Sequence, residues 1–82
     1  MPLVITTRNK GINMKTKPSV TDKDLQEFYS MEVYRVRLVH QGDISGAEHV
    51  SKEIKKKRDG YSKTSQYDID FVLANAFRDA MI

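Results

Sequence analysis

The sequence predicts a mainly α, small three-helix domain carrying a basic N-terminal arm or β-hairpin. Two observations lead there. Three Ser/Thr-x-x-acid patterns, Thr21…Asp24, Ser45…Glu48 and Ser65…Asp68, each precede a segment with helical apolar spacing. Those segments are separated by Gln41-Gly42-Asp43 and by the stretch around Gly60, both of which break a helix. The division expected is an arm over residues 1–20 and a helical domain over 21–82.

The arm comes first. Leu3, Val4, Ile5, Thr6 and Thr7 favour a strand, Asn9-Lys10-Gly11 a turn, and Ile12, Met14 and Thr16 then alternate with polar residues up to Pro18. A two-stranded hairpin is marginal unless it packs on something, so a basic tail is the alternative. Met14-Lys15 also resembles an ordinary start of a chain, which makes residues 1–13 dispensable on that reading.

The first helix is expected over Asp22–His40. At 100° per residue Leu25, Phe28, Tyr29, Val33, Val36 and Val39 share an arc of about 140°, interrupted only by Glu32. Met31, Tyr34 and Leu38 form a second apolar patch. The second helix, Gly46–Arg58, has a thin stripe of Ala47, Val50 and Ile54, with Lys55–Arg58 in its last turn, where cations suit the helix dipole. The third, Gln66–Met81, is apolar over most of its circumference, with Ile69, Leu73, Ala76, Phe77 and Ala80 as its tightest stripe. Such a helix is central to a bundle or half of a dimer interface. Tyr34/Val36/Leu38 and Tyr67/Ile69/Phe71/Leu73 also alternate with charged residues. The rival fold is therefore α+β, with strands near 33–39 and 67–73. The alanines of the third segment favour helix.

Composition narrows the function. The 82 residues are 39% hydrophobic and 30% charged, which suits a globular rather than a disordered chain. There is no cysteine, so disulfides, thiolate nucleophiles and Cys-ligated zinc are excluded. No apolar stretch approaches the ~20 residues that span a bilayer, and no signal-peptide core is present. A cytoplasmic protein is expected. No catalytic constellation assembles: His40 and His49 fall on different helices, and the four glycines at 11, 42, 46 and 60 do not cluster into a phosphate loop. His49/Glu53 and Asp68/Asp70 have spacings that could hold a metal, yet both read more simply as solvated helix faces. The expectation is a non-enzymatic protein with no cofactor and no metal.

Charge supplies the leading functional reading. Residues 1–21 carry +4, 22–51 carry −3, 52–63 carry +4 and 64–82 carry −2. Lys52, Lys55, Lys56, Lys57, Arg58 and Lys63, together with Arg8, Lys10, Lys15 and Lys17, are the candidate nucleic-acid contacts. Cations set against phosphates release condensed counterions, a sequence-independent source of affinity for DNA or RNA. The expected module is therefore regulatory and binds nucleic acid without base specificity. The alternative is a protein-docking adaptor or inhibitor, in one form a homodimer, using Met31, Tyr34, Arg35, Leu38, Phe71 and Val72. Aromatic, Met and Arg residues are those enriched in interface cores.

Thr21-Asp22-Lys23-Asp24-Leu25, then Phe28-Tyr29-Ser30 and Arg35, resembles a stretch of the Hha/YmoA family of small nucleoid-associated modulators, which bind a DNA-binding partner. The likeness spans under a quarter of the chain, and Val33 and Tyr34 stand where that family has an acidic-His pair. No residue role is carried over from it.

Overall fold

The computed structural model describes residues 17–82, so the hairpin or tail expected over residues 1–16 lies outside the described residues. Three helices follow one another: α1, Asp22–His40; α2, Ile44–Asp59; α3, Lys63–Met81. Both segments with a rival strand reading are helical, and no strand is present among the described residues.

Local chemistry sets the ends. Thr21, in an extended conformation, accepts from the Asp24 amide through its hydroxyl at 3.2 Å, with Asp22 and Asp24 in the first turn. The other two caps differ from the expected ones. Asp43 caps α2 by accepting from Gly46 N at 3.0 Å, and Ser62 caps α3 by accepting from Ser65 N at 3.3 Å. Both helices therefore begin two or three residues earlier than the Ser45 and Ser65 patterns implied. The Ser65 side chain serves elsewhere, its buried hydroxyl accepting from Val20 N at 2.9 Å. With Ser62 N donating to Pro18 O at 3.0 Å, this ties residues 18–20 to the α2–α3 connection.

Gly42 makes the α1–α2 turn at φ +84°, a region closed to most L residues, and a Cβ there would meet nothing within 4 Å. The cost of substitution is thus purely backbone strain. Gly42→Ala is expected to lower the unfolding free energy by about 1 kcal/mol, read from the urea midpoint at unchanged slope.

α1 packs along both other helices, which meet each other only sparsely. The start of α1 lies by the start of α3, and Val36, Val39 and His40 lie by Phe77 and Met81, so α1 and α3 run in the same direction with α2 antiparallel. Phe28, Ile54 and Ile69, one from each helix, form the centre of the core. Val20, Leu25, Met31, Val50, Tyr61, Val72 and Leu73 surround them. Val36 and Ala76 extend the buried zone toward the far ends of α1 and α3. Glu32, the exception in the α1 stripe, is buried, and both its oxygens accept from Arg35 at 2.7 Å. One helical turn thus supplies the counter-charge that the apolar face lacks.

Candidate interaction surface

Helical rotation splits the basic run of α2. Lys57 and Arg58 turn toward the rest of the bundle, whereas Lys52, Lys55 and Lys56 stay exposed. Lys57 is half-buried, with its ammonium 3.0 Å from Glu27, 4.0 Å from Asp24 and 5.6 Å from the centre of the Phe28 ring. The Glu27 carboxylate raises the Lys57 pKa above its ordinary value. Arg58 makes a two-pronged contact with Asp70 at 2.7 and 2.9 Å, which raises its own pKa and lowers that of Asp70. Lys55 reaches Asp59 at 3.1 Å, and Lys17 donates to the Asp59 carbonyl at 2.8 Å.

Three of the six cations between 52 and 63 are therefore spent on intramolecular acids. Lys52, Lys56 and Lys63 have no acidic partner among the described residues. Arg8, Lys10 and Lys15 lie outside those residues. The net charge of +3 resides entirely on these last three: 14 bases less three leave 11, against 11 acids. Residues 17–82 carry no net formal charge.

The fold also divides the expected protein interface. Leu38 is buried where the chain turns into α2, and Met31 and Val72 are half-buried against the core, so none of the three offers a free apolar surface. The outward side expected of the Met31/Tyr34/Leu38 patch is in fact partly covered by α2. Arg35 is engaged with Glu32. Tyr34 and Phe71 remain exposed.

Further exposed apolar residues come from α3. Tyr67 is 72% exposed, Phe71 69%, Met81 53% and Phe77 44%. The tightest sequence stripe includes Phe77, but the fully buried positions of α3 are Ile69 and Ala76, and Phe77 sits at the border of the covered face. Its side chain and that of Met81 edge a cleft of about 260 Å³ with Arg35, Val36, Val39 and His40. Tyr67, Ala74 and Met81 recur every seventh residue on the outer face, with Phe71 and Phe77 on either side. That spacing is legible in the sequence, but it competes with the core stripe because nearly every face of α3 is apolar.

The remaining candidates occupy separate places. His49 and Asp68 are exposed on different helices, and Asp70 is engaged by Arg58. Among the described residues, no group of three or more His, Cys, Asp or Glu side chains is arranged to hold a metal ion, and no helix is long and apolar enough to cross a membrane. No family model, curated protein or solved structure matches the chain.

The surface ion pairs carry a pH signature. The Tyr61 hydroxyl holds Asp24 below the usual carboxylate range, with Thr21 and Lys57 adding to it, and Arg58 does the same for Asp70. A carboxylate whose pKa is lowered on folding stabilises the native state above its unfolded value and ceases to do so as pH falls through its folded one. The melting temperature should therefore be flat from pH 7 to about 5 and fall below about pH 4. Asp70→Asn should flatten part of that fall, as followed by circular dichroism.

Proposed function

We propose that this chain is a cytoplasmic, non-enzymatic regulatory module that acts by docking on protein through the solvent face of α3. The observation that carries this reading is the row Tyr67, Phe71, Phe77 and Met81, large apolar side chains left in water along one helix. Scattered exposed apolar residues are ordinary, whereas a contiguous row on a small domain is the kind of patch that marks an interface. The neutrality of residues 17–82 supports it further, because the helical domain offers phosphate no net attraction.

A photo-activatable phenylalanine analogue at position 71, and separately at position 52, tests the reading in living cells. Protein adducts formed from position 71 and absent from position 52 are the expected result. Nucleic-acid adducts from position 52, with none of either kind from position 71, would overturn it.

Nucleic-acid contact is the second reading, favoured by the unpaired state of Lys52, Lys56 and Lys63 among the described residues, with Arg8, Lys10, Lys15 and Lys17 adding further cations. With four to six phosphate contacts it requires a log–log salt slope of about −4 to −5. Lys52→Glu with Lys56→Glu and Lys63→Glu should then abolish binding to a DNA or RNA duplex.

A further inference from the structure

We draw no further inference here: the strongest candidate, the apolar cleft at the C-terminal ends of α1 and α3 edged by Val36, Val39, Phe77 and Met81, carries nothing because its Arg35 is already engaged by Glu32 and nothing in the structure shows what covers it.

Discussion

Phe28→Ala is expected to leave the protein largely unfolded or close to it at 37 °C. Phe28 is wholly buried at the meeting point of all three helices, beside Ile54 and Ile69. Its ring meets that of Tyr61 edge-on at 6.1 Å and carries the Lys57 ammonium on its face. Truncation removes the transfer free energy of the ring, leaves a cavity that three helix backbones cannot all close, and takes away both aromatic contacts. The sum is about 3–5 kcal/mol. A domain of this length has roughly 4–12 kcal/mol in total, at 0.05–0.15 kcal/mol per residue. Phe28→Leu keeps most of the volume and should lose far less. Urea unfolding followed at 222 nm decides between them: a Phe28→Ala transition as far out in urea as that of the parent would show that the core lies elsewhere.

The degree to which such a centre is legible in the sequence differs from helix to helix. α1 shows its interior plainly, because its apolar residues occupy one arc and Thr21 is a well-placed cap; its observed limits match the expected ones. For α2 and α3 two hydroxyl- or carboxylate-bearing residues stand two or three positions apart, Asp43 or Ser45 and Ser62 or Ser65. Local chemistry alone does not choose between them. The choice between Ser62 and Ser65 follows from tertiary structure, since Val20 engages the Ser65 hydroxyl. The inward face of α3 is equally undetermined locally, as a helix that is apolar almost all round gives no preferred side. Packing against α1 selects Ile69 and Ala76, seven residues apart, and leaves Phe71 and Phe77 outside.

The basic run is only partly legible for a related reason. Lys52 through Arg58 form one patch when read as charge density, but helical rotation distributes them around α2. The acids that engage Lys57 and Arg58 come from other helices, Glu27 and Asp24 on α1 and Asp70 on α3. These partners are brought together only by the bundle. Of the proposed nucleic-acid site, the exposure of Lys52 and Lys56 is legible in the sequence; the neutralisation of their neighbours is not.

The Glu32–Arg35 pair provides the second large effect, and its two halves should respond unequally. Glu32 has a side chain only 9% exposed, whereas that of Arg35 is 23% exposed and can follow its own flexible stem to water. Arg35→Ala strands a carboxylate on the face of α1 that carries Phe28 and Val36, with neither bulk water nor another cation in place to compensate it. Breaking a buried pair in this way costs about 3–5 kcal/mol; the residual exposure of Glu32 and the freedom of neighbouring groups to relax place the expected loss near 3 kcal/mol. Glu32→Leu removes the buried charge itself, adds apolar contact to a face already built of apolar residues, and leaves Arg35 free to hydrate. Its effect should lie within about 1 kcal/mol of neutral. The double variant, Glu32→Leu with Arg35→Ala, should recover most of what Arg35→Ala alone loses, so the cycle yields a coupling well above the roughly 0.5 kcal/mol scatter of independent sites. Additive losses from the two single variants would mean that Arg35 contributes through its stem alone, and that the carboxylate of Glu32 is compensated by something other than its neighbour one turn away.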